Sequence, residues 1–561
     1  MKRNIERILL FGIVIVALFL RFYQLGSIPN GLYQDETAIG YNAYSILTTG
    51  KDEYGRKFPL YFKSFGDYKL PVYVYATVVP IKLLGFTDAA PRIPSAIFGV
   101  ATVILLFFFT RKLTGKSDLA LMSAFMLAIN PWHLHYSRAT FEVSIGLFFF
   151  LAGSMFFLYL DKQKKLFLLS SVICFVIALY TYNLTRLLAP LLFGAFCFLN
   201  WSKLKTVSKI EKISAIAIGF VLLVPFFLTI FSSEGAASAS GTLITSSGVI
   251  QAGILEHRSY FVMMPEVITK IFLNKYILTL FEYARHIASY FSADFLFLKG
   301  SMHGNHGIGV MGQLYLFEII TILTGIIVAC KQKKEWVKSL FVWGSIVILT
   351  VSLTREAPHA TRSFFILPVL VIFSSYGILS IFHSFKEKKS IIGRMPYIAL
   401  FIGALFSVFY YFSAYYYRFP ITYAKEWRST DKELTQLINS QISQVNKVIV
   451  DDESGYIYSS YLYYSKFSPQ EFMDTVKREA DDNEGFSKVS SFGKLEFRKI
   501  DWTKDLLLPN VFIVTSAANR PAEATDFQKL QFPQRPVVLS VKEELMMFPV
   551  TDESYVLVKT K

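Results

Sequence analysis

Two adjacent carboxylates, Asp35 and Glu36, stand in the stretch Pro29-Asn30-Gly31-Leu32-Tyr33-Gln34-Asp35-Glu36-Thr37-Ala38, just beyond the first apolar segment. A carboxylate placed there can take a proton from a hydroxyl group. It can also cap a helix, because a first turn offers free amides and the positive end of the helix dipole. Ala38, Ile39, Ala43, Tyr44, Ile46 and Leu47 follow at helical spacing, which predicts an amphipathic helix lying on a membrane surface with the acids in its first turn. A third acid, Glu142, comes four residues after Arg138. The pair reads either as a helical ion pair or, since a carboxylate opening an apolar run is costly, as a functional group.

Basic residues gather at the same places. Lys69, Arg138, Arg186, Arg355 and Arg362 fall near the outer ends of apolar runs together with His359, and Arg258 lies in a long outer loop. Cations there run against the insertion bias of membrane proteins. Single ones snorkel to headgroups, whereas a convergent set suits an anionic ligand whose phosphate oxygens are gripped in a forked geometry. Two or three such side chains neutralise a monophosphate, so the charge requires no metal. His303-Gly304-Asn305-His306 has ligand spacing but no evident third ligand, and we assign neither metal nor cofactor. Asp451-Asp452-Glu453 reads as a solvated acidic turn rather than a cation site.

The elements that must position these groups belong to a membrane protein. Of 561 residues, 53% are apolar and only 17% charged, a balance that excludes an ordinary soluble chain. The net charge of +16 comes from Lys and Arg clusters between apolar runs, so it reports topology and not nucleic-acid binding. Cys174, Cys197 and Cys330 lie in or beside these runs and form no disulfide framework. After Met1-Lys2-Arg3-Asn4-Ile5-Glu6-Arg7 and an apolar stretch there is no small-residue cleavage site, so the N-terminus reads as an uncleaved first span. Further runs at 91–110, 118–134, 142–160, 165–182, 184–200, 213–231, 312–330, 337–353, 362–382 and 395–415 make about 11 spans.

Parity decides the sidedness. The clusters Arg111/Lys112/Lys116, Lys162/Lys164/Lys165, Lys203/Lys205/Lys209/Lys212, Lys331/Lys333/Lys334/Lys338 and Lys386/Lys388/Lys389/Arg394 all fall on the side of the N-terminus, which is then cytoplasmic. Counting 69–85 as a span would reverse every cluster. Those residues are expected to be a half-buried segment, an irregular or broken helix with two prolines. A long first loop (26–90), a long loop (232–311) and the C-terminal tail then lie outside. The Ser-, Gly- and Ala-rich stretch 232–253 reads as a lid or linker. From 417 the composition becomes that of a soluble α/β domain, with a helix over 429–443 and strands at 448–450, 511–514 and 555–558. The domain organisation is thus 1–416 in the membrane and 417–561 extracytoplasmic.

These residues carry a family resemblance over most of 1–415. The chain resembles bacterial glycosyltransferases related to protein O-mannosyltransferases and the lipid A aminoarabinose transferase, of glycosyltransferase family 39 type. The likeness rests on Asp35-Glu36, Lys69-Leu70-Pro71, Ser137-Arg138 with Glu142, Tyr180-Thr181-Tyr182-Asn183-Leu184-Thr185-Arg186, and His359, Arg362 and Pro368. It implies the multi-spanning GT-C fold, a polyprenyl-phosphate sugar donor, an acceptor hydroxyl and direct displacement with inversion. It also implies that Asp35 is the general base and that Glu142 stands where relatives carry a second-loop Asp. Lys69 meets the donor phosphate on the same grounds. The competing class is a transporter or flippase of lipid-linked sugars, but the charges gather at one face and no internal repeat is visible.

Overall fold

The computed structural model describes residues 2–65, 67–160, 166–230, 244, 254–256, 258–260, 263, 265–301, 303–452, 454–481, 486–516, 519, 527–531 and 553–559. The expected lid or linker at 232–253 lies outside the described residues apart from Ile244. The chain divides into two compact units: Met1–Tyr23, Ser95–Ser137 and Phe141–Phe412 form one, and Gln24–Pro94, Arg138–Thr140 and Ser413–Lys561 the other.

The first unit is helical. It opens with α1 (Lys2–Phe22), and every apolar run named above contains helix; the run 118–134 divides into Ser117–Ile129 and Pro131–Tyr136, and in 312–330 the helix begins at Glu318. Among the described residues, 4 helices are long and apolar enough to cross a membrane by length and composition: Ala90–Thr114, Lys209–Phe227, Ala360–Glu387 and Ile391–Thr422. Others are shorter. Ser117–Ile129 and Phe167–Leu179 have 13 residues each, which reach about 20 Å where the hydrocarbon core is about 30 Å. Phe401, Ile402, Leu405, Phe406 and Phe409 are exposed along Ile391–Ser413, a surface that suits lipid.

Aromatic rings fill the core of this unit. Trp343 packs edge-on against Phe109 and Phe150, with centroids 5.7 and 5.3 Å away, and Phe150 meets Phe365 at 5.1 Å. The helices Glu318–Lys331 and Leu367–Glu387 cross at Gly325 and Gly377. A Cβ on either glycine would collide with the partner helix at the carbonyl of Phe373 or Thr321. Small residues at such a crossing let backbones approach, and here the approach also permits a 2.8 Å bond between Thr321 Oγ1 and Ser374 Oγ.

The second unit contains α2 (Gln34–Thr49), α3 (Pro71–Leu84) and two sheets. A small hairpin pairs β1 (Phe62–Ser64) with β2 (Asp67–Lys69), Phe62 opposite Lys69. The large sheet is built from β3 (Lys447–Val450), β4 (Lys477–Arg478), β5 (Val489–Phe492), β6 (Leu495–Phe497), β7 (Val511–Ser516), β8 (Phe527–Gln531) and β9 (Glu553–Lys559), in the order β4-β5-β6-β3-β7-β9-β8. The β6-β3-β7 centre is parallel and the flanks are antiparallel. Val448 and Val450 face a core with Leu434, Ile438 and Leu462, while Ile449 and Ile513 face the other side with Ile500 and Val511. The expected strands and the helix at Asp431–Gln441 are all present.

Three expectations change. Residues 71–84 form one continuous helix: Pro71 sits at its first turn, where its missing amide costs nothing, and Pro80 lies inside the helix without ending it. Helix α2 does not lie with one face bare: Glu36 through Ala43, Ser45 and Ile46 are buried. It packs against α3 and the helix Ile457–Ser465, with Tyr41 joining the core of the large sheet, Thr37 Oγ1 2.9 Å from Ser459 Oγ, and Gly40 leaving room for the Tyr463 ring. Asp452 is buried, not solvated, and its carboxylate accepts the amides of Gly455 and Ile457 at 2.8 Å each.

Candidate active site

The chain leaves α1 through residues 24–33 and enters α2 with Tyr33 as N-cap. Gly31 has a φ of +91° and faces the backbone of Trp427 and Ser429 so closely that no Cβ fits. Asp35 and Glu36 follow in the first turn, and one residue of rotation separates their environments.

Glu36 is fully buried. Its Oε1 accepts Arg92 Nε at 2.9 Å, and both the amide and the hydroxyl of Thr140 at 3.0 Å. Its Oε2 accepts Arg92 Nη2 at 2.9 Å and the Tyr33 amide at 3.3 Å, as the acid of a capping box does. Arg92, equally buried, donates with its remaining hydrogens to the carbonyls of Leu25 at 3.1 Å, Pro29 at 2.8 Å and Gly31. Capping and charge pairing therefore occupy Glu36, and this carboxylate positions the loop.

Asp35 keeps its side chain 28% exposed, and its Oδ2 lies 3.0 Å from Lys69 Nζ. Lys69 ends β2, one residue before the N-cap of α3, so the Lys69-Leu70-Pro71 sequence is a strand-to-helix junction that holds the ammonium at the acid. An accessible carboxylate can receive a proton, and the ammonium beside it, on a buried stem, can hold an anion such as a phosphate.

The remaining residues expected at a site have other surroundings. Arg138 is fully buried, donates from Nη2 to the carbonyls of Gln24 at 3.3 Å and Ile28 at 3.0 Å, and stacks 5.6 Å from each of the Tyr415 and Tyr416 rings. It fastens the loop ahead of α2. Glu142 opens the helix Glu142–Leu158 in the first unit and is half-buried. Arg186 is half-buried over Phe226, 5.5 Å from its centroid. Arg258 and Arg355 are exposed, with Arg258 Nε donating to the Leu273 carbonyl at 3.3 Å.

Arg362 and His359 come together with residues the sequence reading did not connect. Arg362 Nη1 donates to Thr354 Oγ1 at 3.1 Å and to the Glu356 carbonyl at 3.2 Å, and Nη2 lies 3.6 Å from Glu356 Oε2. The rings of His303, His306 and His359 pack around this turn. Burial holds His306 down at about 3 and His359 well below its ordinary value. At neutral pH burial thus keeps His359 uncharged.

Arg92, Thr140 and Glu356 were passed over. Arg92 had a readable signal, since it is another arginine at the outer end of an apolar run. Glu356 is adjacent to Arg355 and three residues from His359, but only folding brings His303 to it. Glu53, also missed, is buried in the second unit, accepting Asn42 Nδ2 at 3.2 Å and the Tyr458 hydroxyl at 3.4 Å. Burial pushes its carboxyl up to about 7.

A helical membrane-type unit joined to an α/β unit, with an acid pair at the first loop, defines the GT-C class of architecture. The comparisons agree. ArnT from Cupriavidus metallidurans in the apo state aligns over 100% of this chain and 98% of its own, at 11% identity and a TM-score of 0.53. The same protein bound to undecaprenyl phosphate aligns over 98% and 97%, at 12% identity and 0.52. The archaeal oligosaccharyltransferase AglB from Archaeoglobus fulgidus, in complex with an inhibitory peptide and a dolichol-phosphate, aligns over 82% of this chain at 12% identity and 0.51; the chain spans 64% of its length. Within that fold, residues 69–228 match the family described as dolichyl-phosphate-mannose-protein mannosyltransferase, so the resemblance drawn from the sequence holds. No curated protein sequence matches the chain.

Proposed function

We propose that this chain is a membrane glycosyltransferase that moves a sugar from a polyprenyl-phosphate donor to an acceptor hydroxyl at the outer face of the cytoplasmic membrane. The observation that carries the reading is the division of labour in the acid pair: Glu36 is saturated by Arg92, Thr140 and Tyr33, while Asp35 stays accessible against Lys69. The match of residues 69–228, beginning at that lysine, and the undecaprenyl phosphate bound by ArnT support it.

In the resting chain the ammonium of Lys69 neutralises Asp35. Donor phosphate competes for Lys69 and frees the carboxylate. Asp35 then accepts the hydroxyl proton of the acceptor as its oxygen bonds to the anomeric carbon, the bond from that carbon to the phosphate oxygen breaks, and polyprenyl phosphate leaves with its growing charge offset by Lys69. The reading keeps an N-terminus inside, about eleven spans, and an outer C-terminal domain.

Purified protein in nanodiscs, supplied with polyprenyl-phosphate sugars and hydroxyl acceptors, tests the proposal. Asp35→Asn is expected to lower transfer by about a hundredfold or more while donor binding persists. Near-normal transfer by this variant would reduce Asp35 to a helix-end residue and remove the mechanism.

A further inference from the structure

The basic cluster at 331–338, a marker of sidedness in the sequence, also lines a cleft in the first unit. The cleft has a volume of about 490 Å³ and lies between the end of the helix Glu318–Lys331 and the start of the helix Trp336–Val351. Lys333, Lys334 and Lys338 line it with one carboxylate, Glu335, while Ala329 and Val337 supply an apolar wall. Among the described residues, none of these three lysines takes part in an ion pair. Single lysines at a helix end are explained by snorkelling and by the negative end of the helix dipole. Three cations around one cleft, against one carboxylate, leave an excess of positive charge that an anion would meet.

The turn that carries these lysines is fixed from several sides. The Lys334 amide donates to the Ala329 carbonyl at 3.1 Å and the Lys333 amide to the Cys330 carbonyl at 2.9 Å, a Schellman closure of the helix. Its left-handed residue is Lys333, with a φ of +49°, where glycine is the usual occupant. Trp336 packs against Tyr376 and Phe373, with ring centroids 5.3 and 5.8 Å away, and the Tyr376 hydroxyl donates to Gln332 Oε1 at 2.8 Å. The ammonium of Lys116 lies 5.7 Å from the centroid of the same tyrosine ring, which brings a cation from a second basic cluster to this corner.

We infer that this cleft binds one anionic diacyl phospholipid of the cytoplasmic leaflet, its phosphate headgroup among Lys333, Lys334 and Lys338 and its acyl chains on the apolar surface of the two helices. Basic pockets between helix ends on the cytoplasmic side hold headgroups by charge complementarity. The apolar half of the ligand also has a place. Leu323 and Ile327 on one helix and Phe341 on the other are exposed on the membrane side of the lysines, continuing the surface that begins at Ala329 and Val337. A soluble anion would leave that surface uncovered. The site lies outside the sugar-transfer chemistry and stands whether or not Asp35 is a base; only the leaflet follows from the sidedness of the basic clusters.

Lipid retention measured by native mass spectrometry tests the site. Full-length protein, delipidated in detergent, is titrated with dioleoyl phosphatidylglycerol, with dioleoyl phosphatidylcholine and with sodium phosphate. Wild type is expected to hold one phosphatidylglycerol at least about tenfold more tightly than phosphatidylcholine, and phosphate is expected not to displace it. Lys333→Gln, Lys334→Gln and Lys338→Gln together are expected to erase that preference, whereas Lys333→Arg, Lys334→Arg and Lys338→Arg together keep it. Lys386→Gln, Lys388→Gln and Lys389→Gln remove the same charge from another exposed cluster and are expected to leave the preference intact. Equal loss in both glutamine triples would replace the site by a diffuse basic surface. The wild-type preference is read on the unaltered chain and does not depend on how any variant folds. Equal binding of the two lipids by wild type, or displacement by phosphate, would overturn the proposal.

Discussion

Replacing Glu36 by Gln removes one half of a buried charge pair and leaves the Arg92 guanidinium without its counter-charge. Breaking such a pair costs about 3–5 kcal/mol, so Glu36→Gln is expected to lower the thermal midpoint and the yield of folded protein. Asp35→Asn, at a partly exposed carboxylate, is expected to leave the midpoint nearly unchanged while transfer collapses. The two adjacent acids are thus separable by calorimetry and transfer rate measured on the same samples. Lys69→Ala is a third case: it is expected to weaken donor binding, read by titration with a polyprenyl-phosphate sugar. Binding equal to wild type would take the phosphate away from Lys69.

At the scale of elements, α2 is fixed by what covers it. Asn42 and the loop after α2 bury Glu53 against Tyr458, and Arg478 donates to the Glu53 carbonyl at 3.1 Å. Burial raises the Glu53 carboxyl from 4.5 to about 7, so the folded chain holds this proton where the unfolded chain has released it. The contribution is fully present below about pH 4.5 and is lost as pH rises to about 7, on the order of 3 kcal/mol. Glu53→Gln is expected to flatten that slope, and melting curves at pH 5 and pH 8 check it. Asp52, also raised by burial, leaves a residual slope of the same sign. In the helical unit, Gly325→Ala forces apart the helices that cross at Gly377 and is expected to cost about 1–3 kcal/mol in stability.

For the whole molecule, the sidedness proposed from the basic clusters places residues 417–561 outside. Ser440 is exposed in the structure, and a cysteine placed there in a cysteine-free background is expected to react with an impermeant reagent on intact cells. Labelling only after permeabilisation would reverse the topology.

Periodicity and composition were enough to determine the apolar helices, the α/β character of the tail and the strands β3, β7 and β9, because each depends on residues close in sequence. Asp35-Glu36 and Lys69 stood out as a candidate site by residue type, by the position of the acids after the first apolar segment and by the family resemblance. Which acid is accessible was not legible, because it depends on Arg92 and Thr140, 56 and 104 residues away from Glu36. The burial of α2 was misread for the same reason: its apolar stripe predicts a covered face but not the cover, and Tyr41 meets the core of a domain some four hundred residues onward. The approach of His303 to Glu356 and His359 shows the limit most directly, since side chains separated by more than fifty residues have no spacing signal. Local pattern set the elements; burial, charge pairing and the convergence of distant side chains came only from long-range packing.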